Sequence, residues 1–157
     1  MTAYTVELPL AGGTVSDSAC SVEVASPDRV ASLGAPLGEL RDDEAVIAAF
    51  DDEAAIGYLF CSLNAAHSIG PLEQECEFDG AYIRRVFVDP DHRQRGVARS
   101  LLRNACQWAS DGGARRATAL VARDNVPSRR LFEREGFEPE QRHVYIRFGP
   151  FAYRRRG

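Results

Sequence analysis

Val88-Asp89-Pro90-Asp91-His92-Arg93-Gln94-Arg95-Gly96-Val97-Ala98-Arg99-Ser100-Leu101-Leu102 decides how the rest of this chain is understood. An apolar, β-branched run ends at Val88, a basic loop holding Gly96 follows, and apolar residues then recur at Val97, Leu101, Leu102, Ala105, Trp108 and Ala109. That three- and four-residue recurrence predicts a helix of about four turns, ended by Asp111, Gly112 and Gly113. A helix that starts directly after a strand and a glycine loop points its unpaired N–H groups at the loop, which makes the loop a seat for an anion such as a phosphate. Two nucleotide motifs are excluded. A P-loop requires Lys before Ser or Thr, and all 19 basic residues of this chain are Arg. A dinucleotide fingerprint requires three glycines within six residues, and Gly96 stands alone.

The loop does satisfy the pattern Arg or Gln, two residues, Gly, one residue, Gly or Ala, through Arg93, Gln94, Arg95, Gly96, Val97 and Ala98. A second landmark begins 27 residues beyond Ala98, where Asn125, Val126, Pro127, Ser128, Arg129, Arg130, Leu131 and Phe132 lead into Gly136 and Phe137. In this order and spacing the two resemble the motifs of the GNAT superfamily of acyl-CoA N-acyltransferases, over residues 45 to 148. The resemblance implies an α/β (α+β) fold: a mixed, mostly antiparallel sheet with helices on both sides and two central strands splayed apart. It also implies acetyl-CoA as cosubstrate, with the pantetheine arm lying in the splay and a primary amine as acceptor, on a small molecule such as a polyamine or an aminoglycoside-like compound or at a protein N-terminus.

Carried onto this chain, the resemblance assigns backbone groups of Val86, Phe87 and Val88 to the pantetheine, with an N–H near Val88 on the thioester oxygen. It assigns backbone N–H groups of Gln94, Arg95, Gly96, Val97, Ala98 and Arg99 to the pyrophosphate, and places Asn125 and Phe132 beside the cofactor. Asn125 is also suited to cap the helix it precedes. Phe132 departs from the family pattern, since many members carry Tyr there to protonate the departing thiolate and a phenylalanine ring has no proton to give. The acidic bases of two specialised branches fall on Tyr82 and Leu120, neither of them a carboxylate. Tyr82 and Tyr145 are therefore the expected proton carriers, with Glu77 or Asp79 near the mouth as further candidates. Direct attack by a neutral amine in a ternary complex makes modest demands, because holding the reactants together does most of the work. No metal is expected, and the three His and four Cys form no ligand pattern.

Charge is divided along the chain. Residues 1–79 hold 15 acids and 2 Arg, residues 80–134 hold 5 acids and 12 Arg, and residues 135–157 hold 3 acids and 5 Arg. The basic stretch contains both motifs and suits a phosphorylated cofactor, while the acidic stretch suits a cationic acceptor. Two rivals stand beside the enzyme: a catalytically silent acyl-CoA sensor, suggested by Phe132, and a nucleic-acid binder, suggested by Arg154, Arg155 and Arg156. The net charge of −4 and a pI near 5.4 oppose the second.

The length of 157 residues suits one domain, over residues 1–150, with a basic tail at 151–157. Cys20, Cys61, Cys76 and Cys106 are widely spaced and read as free thiols. No leader or membrane-length apolar run is visible, so a cytoplasmic location is expected. Dimers are common in the resembled family, although no stripe here demands one. Strands are expected at residues 4–8, 21–25, 45–50, 54–63, 81–88 and 117–122, with one or two more between 137 and 148. Short helices are expected within 28–40 and a capped helix at 126–135. Residues 64–79 read as a long polar connection.

Overall fold

The computed structural model describes residues 2–10, 20–63, 66–69, 74–77, 80–140 and 146–147. Ten strands appear among them: β1 Thr2–Glu7, β2 Ser21–Ala25, β3 Glu44–Asp51, β4 Ala54–Leu63, β5 Ala66–Ile69, β6 Gln74–Glu77, β7 Ala81–Val88, β8 Arg116–Val121, β9 Glu138–Glu140 and β10 Ile146–Arg147. Two α-helices, α1 Val97–Asp111 and α2 Val126–Arg134, flank β8 in sequence. Two 3₁₀ segments, Pro27–Leu33 and Leu37–Glu39, stand between β2 and β3.

Seven strands form the main sheet in the order β2-β3-β4-β7-β8-β1-β9. Every pairing in it is antiparallel except β7 with β8, which α1 joins by a crossover. Strand alternation sorts the side chains onto two faces. One face carries Ile47, Ala49, Leu59, Cys61, Ile83, Ala117 and Ala119, which pack with Val97, Leu101, Leu102 and Ala105 of α1 and Phe132 of α2. The other carries Val46, Ala48, Phe50, Tyr58 and Phe60, covered by Val30 of the first 3₁₀ segment. Cover therefore lies on both sides, but both α-helices share one face. Glycines at 34 and 38 and Pro36 keep residues 27–39 in 3₁₀ turns.

One arrangement differs from the sequence expectation. Residues 64–79, expected as a polar connection, contain β5 and β6, which pair with each other and with β10 in a separate three-stranded sheet. Their composition hides this, because strands that pair outside the main core need no strong apolar alternation. The N-terminal β1 is no edge strand: it is antiparallel to β8 on one side and to β9 on the other. Among the described residues, no helix is long and apolar enough to cross a membrane.

Cys61 and Cys106 are free thiols, and both are buried. Burial is the main cause that pushes the Cys106 thiol from its ordinary 9.0 up to about 12; the Arg103 charge opposes the rise and Glu135 adds to it. Burial also pushes up Cys61. Such a group keeps its proton in the native state after the unfolded chain has lost it. Its stabilising contribution is intact below the unfolded pKa and is lost as pH climbs through the folded one. Denaturant midpoints are accordingly expected to fall as pH rises above about 9, less steeply in Cys106→Ala than in the unaltered chain.

Gly80, at φ +108°, starts β7 against β8; a Cβ there would lie 2.2 Å from the Arg116 carbonyl oxygen. Gly80→Ala is expected to cost about 2–4 kcal/mol, read as a fall of roughly 5–10 °C in Tm.

Candidate active site

β7 stays beside β8 for three residues only: Ala81, Tyr82 and Ile83 stand against Ala117, Thr118 and Ala119. Beyond Ile83 it keeps β4 and parts from β8, which continues alongside β1 to Val121. A bulge marks the departure. Tyr58 pairs with Phe87 but Phe60 with Arg84, so Leu59 faces both Arg85 and Val86, and neither of these has a ladder partner. Arg85 takes φ +60°, a conformation that costs a non-glycine residue about 1–2 kcal/mol. Gly57 makes the bend possible, because a Cβ there would lie 2.9 Å from the Phe87 carbonyl oxygen and 3.1 Å from Leu101 Cδ1.

Register decides which backbone groups face the gap. The Asp89 N–H donates to the Ile56 carbonyl at 2.8 Å, so residues 89 and 87 turn their polar groups toward β4 and residue 88 turns them away. Val88 thus faces the splay, whereas the backbone of Phe87, expected to serve the pantetheine, is directed at Tyr58. The Phe87 ring instead stacks on Tyr58 with centroids 5.4 Å apart. The Val88 carbonyl accepts from Arg93 Nε at 2.9 Å, which leaves the Val88 N–H directed at the gap.

After a 3₁₀ turn at Pro90–His92, the chain reverses through positive φ at Gln94 (+65°) and Gly96 (+81°) and enters α1. Alternation of this kind folds successive N–H groups into a concave nest for anions. Inside α1 the first N–H to find a carbonyl is that of Ser100, on Gly96 at 3.0 Å; those of Val97, Ala98 and Arg99 are left over by helix geometry. The loop is braced from both ends. His92 Nδ1 lies 2.9 Å from the Asp89 carboxylate and Nε2 lies 3.8 Å from Asp51. Arg99 and Arg103 both reach Glu135, at 3.2 and 2.7 Å, and the Glu135 side chain is 5% exposed. The side chains of Arg93 and Arg99 are thereby engaged within the protein. Arg95 is exposed, with no ionic partner among the described residues.

Asn125 caps α2, its Oδ1 accepting the Ser128 N–H at 3.2 Å. Phe132 is buried against Phe137 (5.0 Å, edge to face) and Tyr4 (6.3 Å, stacked). The Tyr4 hydroxyl donates to Glu133 and accepts from Arg129.

On the face away from α1, Tyr82 is buried beside Ser62 and opposite Thr118. Arg84 grips Glu44 there, with Nε on Oε2 at 2.6 Å and Nη2 on Oε1 at 2.9 Å, and its proton affinity is raised chiefly by that bond. Tyr58 lies on the same face beyond the bulge; burial pushes its phenol up and the Arg85 charge pulls it partway back. Leu120 is half-buried on β8. Tyr145 and Asp79 lie outside the described residues, and Glu77 is described only as backbone of β6. Sequence reasoning missed the Glu44–Arg84 pair, the bulge and the Arg93 contact. A glycine inside an apolar strand, Gly57, is the signal that could have located the bulge. Among the described residues no group of His, Cys, Asp or Glu gathers that could hold a metal ion.

The sequence model of the acetyltransferase (GNAT) family matches residues 17–137. An aminoglycoside N(6')-acetyltransferase type 1 of Salmonella typhimurium is 28% identical over 107 residues, 68% of this chain and 70% of that protein. An uncharacterized N-acetyltransferase of Methanocaldococcus jannaschii is 28% identical over 101 residues, 64% of this chain and 42% of that one. The solved structure of the aminoglycoside N-acetyltransferase AAC(6')-Iy in complex with CoA superposes with a TM-score of 0.62 at 25% identity, covering 87% of this chain and all of that one. The apo aminoglycoside 6'-N-acetyltransferase of Acinetobacter haemolyticus shares the fold, with a TM-score of 0.58 at 22% identity over 80% of this chain and 95% of that one.

A Cβ at Gly96 would meet nothing within 4 Å, so a side chain there acts on the anion nest and the left-handed backbone and not on the core. Gly96→Val is expected to weaken acetyl-CoA binding at least about tenfold by titration calorimetry while costing only about 1–2 kcal/mol of stability.

Proposed function

Because this chain belongs to the acetyltransferase (GNAT) family, we propose that it acetylates a primary amine on a polycationic small molecule of the aminoglycoside class. The chain is an acetyl-CoA-dependent N-acetyltransferase. The observation that carries the active-site assignment is the parting of β7 from β8 directly before the anion nest, which leaves an unpaired strand edge leading to a phosphate seat. The acceptor class rests on two supports: the relatives that act on aminoglycosides, and the excess of acids over Arg in residues 1–79, 15 against 2, a field that draws cations.

In this reading the N–H groups of Gln94 through Arg99 hold the pyrophosphate, aided by the α1 dipole with roughly 0.3–1 kcal/mol. The open edge of β7 at Val86 and Val88 pairs with the pantetheine amides, and an N–H near Val88 polarises the thioester carbonyl. The amine nitrogen forms its bond to the carbonyl carbon as the carbon–sulfur bond breaks; the nitrogen sheds one proton and the thiolate gains one. Tyr82 carries that proton, its hydroxyl giving to sulfur and recovering from nitrogen through water. Phe132 backs the site as packing. Proton transfer of this kind contributes about 10²–10⁴-fold, with alignment of the reactants supplying the larger share.

Acetyl-CoA at about a hundred times its Kd should stabilise the native state by about 2.7 kcal/mol and raise Tm by roughly 5–10 °C. Thiol release is then expected with aminoglycosides and not with peptide N-termini. Release with peptides alone would overturn the acceptor class, and a raised Tm without release for any amine would mark a silent acyl-CoA binder. Tyr82→Phe is expected to lower kcat about 10²-fold or more with KM for acetyl-CoA unchanged.

A further inference from the structure

We propose that Arg84, fixed by Glu44, tunes the readiness of the Tyr82 hydroxyl to exchange its proton and so sets the pH range of acetyl transfer. The inference rests on Tyr82 as the proton carrier. Glu44 stands opposite Ser62 and Ser62 opposite Tyr82, so these three form one row across β3, β4 and β7; Phe60 and Arg84 form the next row on the same face. Arg84 does not extend away from Tyr82 toward solvent. Its guanidinium crosses β4 diagonally, over the Phe60 ring at 5.5 Å from the centroid, and grips Glu44 in the neighbouring row. A third bond, from Nη2 to the Glu39 carbonyl at 2.6 Å, fixes it from the cover segment.

The pair is shielded from water. The Glu44 side chain has no exposure and that of Arg84 has 19%. Tyr82 is 7% exposed, and its row neighbours Ser62 and Thr118 are equally buried. Charges in such surroundings act on each other far more strongly than on a wet surface. Among the described residues, the charged groups on this face near Tyr82 include Arg84 from its own strand and Glu44 from β3, with Glu39 from the cover; Ser62 of β4 and Thr118 of β8, which stand in its row, are neutral. Arg84 and Tyr82 interact electrostatically, and the Glu44 carboxylate, in direct contact with the guanidinium, offsets part of that cation's field. Glu39 is also engaged by Arg85.

Burial of an ion pair yields little net stability, because desolvation offsets the attraction. A cation held two residues from a phenol, on the same face, does have a chemical effect: it favours the phenolate. Tyrosine ordinarily ionises near about 10, and bringing that value toward the working pH improves a group that must both give and recover a proton. Glu44 serves as a positioning residue, holding the cation in place and limiting its effect.

The test combines an optical and a kinetic titration. The tyrosinate absorbance of the unaltered enzyme minus that of Tyr82→Phe isolates the Tyr82 ionisation, and the kcat–pH profile shows the limb that Tyr82→Phe removes. Glu44→Gln removes the opposing charge and is expected to move both midpoints to lower pH. The paired variant Glu44→Gln with Arg84→Gln leaves no buried charge unpaired, and is expected to move both up relative to Glu44→Gln by about one pH unit. Coinciding optical midpoints in the three proteins, with only Tm changed, would reduce the pair to a structural tie and overturn the inference. Full kcat in Tyr82→Phe would overturn the proton-carrier reading, while the optical titration would still decide whether Arg84 governs that phenol.

Discussion

Loss of the ladder between β7 and β8 beyond Ile83 is the constraint around which the rest of the molecule is arranged. A strand inside a sheet that forfeits one neighbour exposes N–H and C=O groups that must find other partners. The bulge at Arg85 and Val86 accompanies the divergence, Gly57 admits the bend, and α1 follows β7 beyond the parted stretch. Among the described strands none takes the place that β8 vacates beside the end of β7. The same divergence leaves the β7 edge at Val86 and Val88 open, next to the loop where α1 begins with its first N–H groups left over.

Polar contacts around this break hold it to one geometry. Arg93 returns to the Val88 carbonyl, His92 sits between Asp89 and Asp51, and Glu135 gathers Arg99 and Arg103. Each ties the phosphate loop to a different element: the end of β7, the β3–β4 turn and the end of α2. Arginine suits these positions because its planar fork can bond a carbonyl or carboxylate while its stem packs on rings. The division of charge in the sequence is thus partly spent inside the fold, as acids of the first half meet arginines of the second at Glu44–Arg84 and Glu39–Arg85.

What could be read from the sequence was what neighbours along the chain determine. The start of α1 after Gly96, the Asn125 cap and the apolar face of α1 depend on residues within a turn or two of each other. The sharp turn at Gly96 was legible for the same reason. Phe87 was misassigned because the side to which a strand residue turns its polar groups is set by its partner strand, and no local pattern records that. The Glu44–Arg84 pair joins residues 40 apart through two strand registers, and the hairpin at residues 66–77 pairs away from the main core. Such relations exist only once strands have been laid side by side.

The place of β1 carries a consequence for how the chain reaches this fold. Thr2 lies against Val121 and Thr5 against Glu138, so β1 completes its pairing only with strands more than 100 residues further along the chain. Long-range closure of this kind must meet its entropy cost before any contact rewards it, and it slows folding. Strands β2, β3 and β4 pair as a local antiparallel meander and need no such closure. The half of the sheet built from β7, β8, β1 and β9 depends on contacts between distant parts of the chain.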